Sequence, residues 1–419
     1  MLPRVLVLAV LAATLSAGCF GSGGLLGAAS EEGPARRADA MLARPPGSDV
    51  RETGQVRDFD LYLQRTTHEV YPGASMAMWG FSLSPDGPFT VPGPTLRVTE
   101  GDRVVVRLNV LFAGFNHTLH FHGQNVPADM DGVPFVSQAP AEPNQPFEYS
   151  FIAKPAGTYW YHCHVDAQHH IDMGMYGMLI VDPQDPAADP RYDGEFVLIL
   201  DDMDRYHLEG GQPAGNNLPQ NGDPMSYEEW LRRQAGDTLN RNPAVSDRVT
   251  GTPLRPTRNW TPVTYAPYSA DYNTFLINGM AFPYTQPLVV EEGKVYRLRT
   301  LNAGNTMMSL HLHGHHMLVT HKDGVLLDAP YWVDTLILGP SERYDLYLKA
   351  DNPGMWDLHD HFGDHTQNDG IFPGGAMTML CYASVEGCST GSGGHHHARH
   401  RRSGDLVNAH WMEMARGLP

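Results

Sequence analysis

The stretch PGPTLRVTEGDRVVVRL (residues 92–108) is followed later in the chain by a similar one, QPLVVEEGKVYRLR (residues 286–299). Each combines a short strand, a Glu-Gly turn and a second strand in which apolar and basic residues alternate. Each is followed by a His-x-His-Gly segment, and later by a glycine, a tryptophan and a second His-x-His unit. A repeat of this length and order indicates an internal duplication of one β-sandwich.

The repeat predicts an all-β chain with two Greek-key β-sandwich domains, at residues 50–185 and 190–385. The high content of glycine (43) and proline (33) suits the many turns of such a fold. The second domain contains a long insertion, residues 204–272, in which we predict one short helix capped by Ser226. Residues 386–419 are rich in Gly and Ser and then in His, and we predict a disordered tail.

The amino terminus has the features of an export signal. A basic residue precedes an apolar run, Val5–Leu15, which is too short to span a bilayer and fits the core of a signal peptide. The run ends in LSAGC, which resembles the lipobox of prokaryotic lipoproteins, although an ordinary signal peptide with a chance cysteine is the alternative. We expect a signal peptide at residues 1–19 and a flexible tether at residues 20–49. The protein would then be exported to the periplasm or cell surface and touch the membrane only through a lipid on Cys19.

Charge and cysteine content narrow the possible partners. The formal net charge is −18, so binding to nucleic acid is not expected without a concentrated basic patch. The chain has four cysteines. Cys381 and Cys388 are seven residues apart and could close a small disulfide loop in an oxidising compartment or remain as two free thiols.

Eight histidines in four His-x-His units predict a metal centre. Side chains alternate between the two faces of a strand, so both histidines of a unit point the same way. Four such pairs in register across a repeat suit two or three copper ions better than one structural zinc. The histidines are His120, His122, His162, His164, His311, His313, His359 and His361.

Strand parity predicts a second, mononuclear site. Cys163 lies between His162 and His164, so its sulfur faces the opposite side of that strand. His117 lies three residues before His120, so its side chain should also face away from those of His120 and His122. His170 and Met175 follow further along the chain. Two His, one Cys and a weak Met are the ligands of a blue-copper site. Two alternatives stay open, since His169 could replace His170 and Met173 could replace Met175.

The second domain lacks such a site. The repeat places Met308 where the first domain has His117, and Asp360 where it has Cys163. Without a thiolate there is no blue copper. We therefore expect one mononuclear site in each chain, from which electrons pass along the backbone of Cys163 to its two histidine neighbours.

These motifs resemble those of the multicopper oxidase family, from about residue 55 to residue 382. HTLHFHG at residues 117–123 resembles the family's His-x-x-His-x-His motif, and HCH at residues 162–164 resembles its His-Cys-His signature. The resemblance implies cupredoxin-like domains and four copper ions in each chain, one of type 1, one of type 2 and two of type 3. It implies His120 and His311 as type 2 ligands. The implied type 3 ligands are His122, His162, His164, His313, His359 and His361.

The position of the type 1 site in the first domain resembles that in two-domain laccases. This resemblance implies a homotrimer whose trinuclear sites lie between the first domain of one subunit and the second domain of the next, a head-to-tail contact that can close into a ring. It implies dioxygen as the electron acceptor. The implied donors are phenols, aromatic amines or metal ions, oxidised one electron at a time at an exposed histidine ligand of the type 1 copper.

Two other functions compete with this prediction. Copper nitrite reductases are also trimers of two cupredoxin domains, but they carry Asp at the position of His120 and a non-ligand at that of His164. A copper-sequestering or detoxifying protein with cuprous oxidase activity is the second rival, and the nineteen methionines and the His-rich tail point towards it. The methionines are scattered rather than clustered, and eight imidazoles favour the oxidase.

Asp131 is the candidate catalytic residue, because it matches the family position of an acid beside the copper cluster. Reduction of dioxygen to water consumes protons, and a nearby carboxylate could deliver them. The alternative is an ordinary turn residue in the Asp-Gly pair that it forms with Gly132. Asp360 is a weaker candidate, because the alternation of side chains along its strand should turn its carboxylate away from the cluster.

Overall fold

The computed structural model describes residues 41–112, 116–134, 136–204, 272–368 and 370–388. By its internal contacts the chain divides into a unit that ends at Pro45 and a second unit that begins at Pro46. Cys19, the helix predicted after Ser226 and the His-rich tail lie outside the described residues. Within the described ranges, no helix has the length and apolarity needed to cross a membrane.

Strands dominate the described part of the chain, as the repeat predicts. In chain order they are β1 (Val56–Tyr71), β2 (Ala74–Ser82), β3 (Leu96–Thr99), β4 (Arg103–Val110), β5 (His120–His122), β6 (Phe147–Ile152), β7 (Gly157–His162), β8 (Tyr176–Asp182), β9 (Gly194–Met203), β10 (Thr274–Ile277), β11 (Leu288–Val290), β12 (Val295–Asn302), β13 (Met308–Leu312), β14 (Met317–Lys322), β15 (Val325–Val333), β16 (Thr335–Leu338), β17 (Arg343–Lys349), β18 (Met355–Asp360) and β19 (Met377–Tyr382).

Helices are few and short in the same ranges. An α-helix, α1, spans Ala167–Asp172, residues 41–43 are also helical, and the 3-10 helices are Ala128–Met130, Pro186–Ala188 and Gly363–Thr366. The predicted all-β class with two β-sandwich domains is confirmed.

The first domain is built from two four-stranded sheets, in the orders β2-β1-β4-β6 and β3-β8-β7-β5. Alternate residues of β4 are buried, among them Val104 and Val106, and they belong to the same apolar cluster as Phe121 and Trp160 of the other sheet. This alternation is the period of a strand with one buried face, so the sequence pattern accounts for the sandwich.

The second domain has a six-stranded sheet, β10-β9-β12-β17-β14-β15, and a five-stranded sheet, β11-β19-β18-β13-β16. The Glu-Gly turn of the repeat occurs in both domains, because Gly101 and Gly293 have φ angles of +84° and +86°. Only glycine adopts this backbone conformation without a steric cost. The two glycines therefore account for the position of the turn in each repeat.

A buried network of charged side chains joins the two domains. Arg297 and Arg299 of β12 are fully buried, and so is Asp345 of β17. Arg297 Nη2 donates to Asp345 Oδ2 over 2.5 Å, and Arg299 Nη1 donates to Thr158 Oγ1 of β7 over 2.7 Å. Thr158 in turn donates to Asp345 Oδ1 over 2.5 Å. Buried charges need such partners, and removal of one partner from a buried pair strongly destabilises a fold.

The linker between the domains is attached to the same network through Asp189. Arg297 Nη1 donates to Asp189 Oδ2 over 2.6 Å, and His321 Nε2 lies 3.3 Å from Asp189 Oδ1. Burial would raise the pKa of Asp189, but the hydrogen bonds from His321 and Arg297 outweigh burial and hold that pKa at about 2.

The two carboxy-terminal cysteines form a disulfide. Cys381 of β19 is bonded to Cys388, and their Cα atoms are 5.6 Å apart. The bond closes the loop that follows the last strand of the second domain. Of the two alternatives left open by the sequence, the structure has the disulfide.

We predict that Asp189→Asn destabilises the fold in a pH-dependent way. The folded pKa of about 2 lies below the ordinary value of 3.8, so the carboxylate stabilises the fold above its unfolded pKa. This contribution is lost as the pH falls through the folded pKa. The difference in free energy of unfolding between wild type and variant should be constant above about pH 5 and shrink towards pH 2. Urea unfolding at a series of pH values measures it.

Asp185→Asn is the matched control for this experiment. Asp185 is an exposed residue of the same linker, and an asparagine at this position keeps the cap on the Ala187 amide. A pH dependence for Asp189→Asn that equals that of the control would contradict the prediction.

Candidate copper centres

The predicted mononuclear site comes together in the first domain. Cys163 Sγ lies 3.1 Å from His170 Nδ1 and 3.9 Å from His117 Nδ1, and all three side chains are buried. The three ligand atoms lie within 4.8 Å of one another. A thiol and two imidazole nitrogens at this spacing match the donor set of a type 1 copper site.

Backbone pairing at the end of β7 explains why these residues meet. The Cys163 N–H donates to the Met175 carbonyl over 3.1 Å, and the Met175 N–H donates to the His170 carbonyl over 3.0 Å. His117 is held by a β-bridge to Ala141. The strand ends at His162, so Cys163 and His164 follow it rather than lying within it as the sequence suggested. The alternation of faces nevertheless continues through them.

The structure separates the two histidines that the sequence left as alternatives. Both lie in α1 and both are buried, but only His170 has its Nδ1 at the sulfur of Cys163. His169 Nδ1 lies 3.6 Å from Asp166 Oδ2 instead. The geometry therefore favours His170 as the ligand.

Met175 and Met173 are both buried in the core of the first domain. Met175 is linked by its backbone to Cys163 and His170, whereas the Met173 carbonyl accepts from the Trp79 amide over 2.7 Å. These backbone hydrogen bonds between Met175 and two ligands are consistent with its assignment as the axial ligand. That assignment stays a prediction.

Aromatic rings enclose the mononuclear site. The Trp79 ring contacts His170 and His117 edge-on, with centroids 4.9 and 5.5 Å apart, and Phe112 contacts His117 at 5.3 Å. His117 is 0% exposed and His170 is 2% exposed. The expectation of an exposed histidine ligand at this site is therefore wrong, since the aromatic shell separates both imidazoles from solvent.

Burial keeps the site neutral in the absence of a metal. Desolvation raises the pKa of the Cys163 thiol to about 12, and it lowers the pKa of His117 to about 3. A neutral imidazole can bind a metal directly, whereas the thiol must first release its proton. The charge of a bound cation would favour the thiolate.

Four further histidines of the first domain, His120, His122, His162 and His164, form a second group, on the other face of β7. His120 lies directly opposite His162 in the antiparallel pair of β5 and β7. The His120 ring contacts those of His122, His162 and His164, with centroid distances of 5.3 to 5.4 Å. Ligand atoms of His120, His122 and His162 lie within 4.8 Å of one another.

The second domain repeats this arrangement. His311 lies opposite His359 in the pair of β13 and β18, as His120 lies opposite His162. The His311 ring contacts those of His313, His359 and His361 at 5.0 to 5.6 Å. His313 Nε2 and His359 Nε2 are 3.2 Å apart.

The first histidine of every His-x-His unit is oriented by a backbone carbonyl. The Nδ1 atoms of His120, His162, His311 and His359 donate to the carbonyls of Asp131, Cys163, Asp334 and Asp360, respectively, over 2.7 to 2.9 Å. Metal-binding histidines characteristically donate their second nitrogen in this way, which leaves Nε2 unprotonated. His162 Nε2 is buried and has no hydrogen-bond partner. These residues fit a bound copper ion.

Among the described residues, no contact joins the two histidine groups. Between His120, His122, His162 and His164 on one side and their four counterparts in the second domain on the other, the described residues show no ring contact and no hydrogen bond. In the second domain His313 and His361 are exposed. Each domain therefore carries one group of four histidines, which we call a half-site.

Asp131 lies beside the first of these half-sites. Its backbone carbonyl orients His120, and its Oδ1 atom is 3.3 Å from His120 Nδ1. The side chain is 38% exposed, so it touches both solvent and the histidine group. This position agrees with the proposed proton donor, although the catalytic role stays a prediction.

Sequence reasoning missed one residue at this half-site, Arg343 of β17. Its guanidinium is buried and donates to the Thr158 and Ser341 carbonyls. A Cβ atom on Gly123, whose φ is +87°, would lie 2.6 Å from Arg343 Nη2. Burial, and then the charge of Arg343, lowers the pKa of His122 to about 3. No local sequence signal reveals Arg343, because it comes from the other domain.

Comparisons with known proteins agree with this geometry. Residues 89–186 and 254–372 match family descriptions of multicopper oxidases. The multicopper oxidase mgLAC is 30% identical with a TM-score of 0.61, and the match covers 86% of this chain and 95% of that one. The blue copper oxidase from Nitrosomonas europaea is 32% identical with a TM-score of 0.61, covering 78% and 86%. The chain belongs to the multicopper oxidase family, and copper is the cofactor of that family.

The curated relatives are longer proteins. Copper resistance protein A from Pseudomonas syringae pv. tomato is 32% identical over 266 residues, which are 62% of this chain and 41% of the relative. The chain spans less than half the length of this relative, so the relative's name describes a larger protein.

We predict that His170→Ala abolishes the blue colour of the copper-loaded protein, whereas His169→Ala retains it. The first variant removes the nitrogen 3.1 Å from Cys163 Sγ, and the second removes a ring that lies near Asp166 and Trp79. Visible absorption and copper content of both variants measure the effect. The opposite order, with colour lost only in His169→Ala, would overturn the assignment of His170.

Proposed function

We propose that the protein is a laccase-like oxidase, which couples one-electron oxidation of a reducing substrate to reduction of dioxygen to water. The observation that carries this proposal is the position of Cys163 between His162 and His164. Its sulfur faces the mononuclear site, while its two neighbours face the other histidine group. One short segment of backbone therefore connects a site that accepts electrons to a site that can use them.

Copper, when bound, supplies the redox chemistry, and the chain supplies its ligands and their surroundings. His117, Cys163, His170 and Met175 would hold the type 1 ion. His120 and His311 would hold the type 2 ion. The type 3 pair would be held by His122, His162, His164, His313, His359 and His361.

The chain's other residues exclude water and hold protons. Trp79 and Phe112 cover the mononuclear site and keep water from the thiolate. Asp131 would hold a proton on its carboxylate beside His120 and pass it towards the cluster, a role its partial exposure to solvent supports. The Asp131 carbonyl meanwhile fixes the tautomer of His120.

A homotrimer would complete the cluster. The lack of any ring contact or hydrogen bond between the two half-sites among the described residues supports this proposal. The second domain's half-site lies on an exposed face beside β16, where Thr335 and Ile337 share the face of His311. Ile337 is 57% exposed, and Trp332, three residues before Thr335 in the chain, is 62% exposed. Large exposed apolar residues around a half-site are typical of a surface that another subunit covers.

The donor is proposed from chemistry and from the relatives. The buried mononuclear site requires electrons to cross an aromatic shell, which suits phenols and aromatic amines that transfer an electron without binding the metal. Cuprous ion is a second candidate donor, because the longer relative is named a copper resistance protein. Export and a lipid anchor at Cys19 are part of the proposal and depend on the sequence alone.

Copper stoichiometry and visible spectra test the function. We predict four copper ions in each wild-type chain, an intense blue band and oxygen consumption with a phenolic donor. Cys163→Ser should lose the colour and about one copper ion, because serine supplies no thiolate. Two copper ions per chain together with nitrite turnover would contradict the oxidase and establish a nitrite reductase.

The assembly has its own test. We predict that the wild-type chain sediments as a trimer and that Ile337→Glu dissociates it, because the substitution places a charge on the face beside His311. The dissociated chain should retain the blue band and lose the cluster copper. Ile337→Thr is the control, since threonine keeps the β-branch without a charge. A monomeric wild type that holds all four copper ions would refute the trimer.

A further inference from the structure

Asp360 occupies in the second domain the place that Cys163 occupies in the first. Although it is an acidic residue, it is as buried as Cys163. Its exposure is 1%. Its Oδ1 atom accepts from the Ser309 amide over 3.2 Å and from the Phe362 amide over 2.9 Å. A buried carboxylate requires such donors, because its burial without hydrogen bonds would cost free energy.

The other oxygen of Asp360 has a histidine partner. His365 Nδ1 lies 3.0 Å from Asp360 Oδ2, and with the carboxylate as acceptor the ring nitrogen donates. The His365 ring is buried and stacks on Phe275, with centroids 3.8 Å apart. Sequence reasoning did not single out His365, which lies in the 3-10 helix Gly363–Thr366.

The partners of Asp360 come from the segments of the second domain that are equivalent to those supplying the mononuclear site in the first. In the first domain those segments are the one that carries His117 before β5, the end of β7, and the helix after it with His170. In the second they are the start of β13 with Ser309, the end of β18, and the 3-10 helix with His365. A thiol and two imidazoles in one domain thus correspond to a carboxylate, an amide and an imidazole in the other.

We infer that Asp360 and His365 are a positioning pair, which holds the second domain's half of the copper cluster in place without a metal of its own. The inference rests on the proposed function, because it takes His311, His359 and His361 as copper ligands. In the first domain a bound type 1 copper would tie the three segments together. In the second domain the hydrogen-bonded carboxylate ties them instead.

The contacts show how the pair acts on the ligands. His359 and His361 are the immediate neighbours of Asp360 in the chain. Ser309 lies two residues before His311 on β13, so the bond from its amide to Asp360 fixes the spacing between the two strands. The Ser309 carbonyl also accepts from the His361 amide over 2.8 Å. Removal of the carboxylate would leave the backbone pairing of the two strands but would loosen the start of β13 and the segment after β18.

A metal site is the competing interpretation of the pair. In the described ranges, the groups of three or more donor atoms close enough to share an ion are His117, Cys163 and His170, and His120, His122 and His162. Asp360 and His365 belong to neither group. Two donors already bonded to each other and to backbone amides favour a structural clamp.

Copper affinity of full-length variants tests the inference. Asp360→Ala removes every bond of the clamp, and His365→Phe keeps a ring on Phe275 but removes the donor. We expect Asp360→Ala to bind the non-blue copper about 10- to 100-fold more weakly, as supporting hydrogen bonds of metal ligands typically contribute. His365→Phe should show a smaller loss. Equilibrium dialysis against a graded copper chelator measures the affinity, and paramagnetic resonance reports the geometry of the remaining copper.

The blue band of Cys163 is the internal reference, because it comes from the other domain and should not change. Asp364→Asn is the matched control, since Asp364 is an exposed acid next to His365. Full wild-type affinity and spectra in both Asp360→Ala and His365→Phe would overturn the inference. If Asp360→Ala does not fold, His365→Phe decides alone: weaker non-blue copper supports the clamp, and unchanged copper refutes it.

The same measurements separate this inference from the proposed function. A wild-type chain that holds only the Cys163 copper contradicts the oxidase itself. A fully loaded wild type with unaffected variants contradicts the clamp alone.

Discussion

Both copper centres depend on the pairing of β7 with β5 and β8. The register of β7 with β5 places His162 directly opposite His120. Just beyond the end of β7, the Cys163 amide donates to the Met175 carbonyl. The first contact builds the histidine half-site and the second builds the mononuclear site, on opposite sides of the same segment. A shift of one residue in this register would exchange the two faces and destroy both centres.

Preparation of the ligands before metal arrives is shared between hydrogen bonding and burial. Backbone carbonyls orient one imidazole of each pair, and desolvation keeps imidazoles such as those of His117 and His162 neutral. The fold thus stabilises the protonation state and the rotamer that copper requires, at the cost of unpartnered buried nitrogens such as His162 Nε2. Pre-organisation of this kind reduces the reorganisation needed on binding.

The sequence predicted the fold class because the strand period and the duplicated motifs are local signals. It also grouped Cys163 with His117, since parity along a strand needs no tertiary information. It could not decide between His169 and His170, because one turn of helix presents both towards the same region. Arg343, His365 and the two rings of the aromatic shell were missed because none of them belongs to a motif. Arg343 and Trp79 come from distant segments, whereas Phe112 and His365 lie only five residues from His117 and Asp360. The predicted domain limits, axial methionine and catalytic Asp131 stay predictions.

The buried junction of Arg297, Asp345 and Thr158 has a geometric consequence for assembly. Because charged groups that lack solvent tolerate little displacement of their partners, the junction fixes the angle between the two domains. In a head-to-tail ring the number of subunits follows from the rotation that relates one binding face to the next. In the proposed head-to-tail trimer, the angle set inside a single chain would therefore determine whether successive copies close a ring or continue as an open helical polymer. Closure of such a ring would then depend on buried residues that lie away from the contact surfaces between subunits.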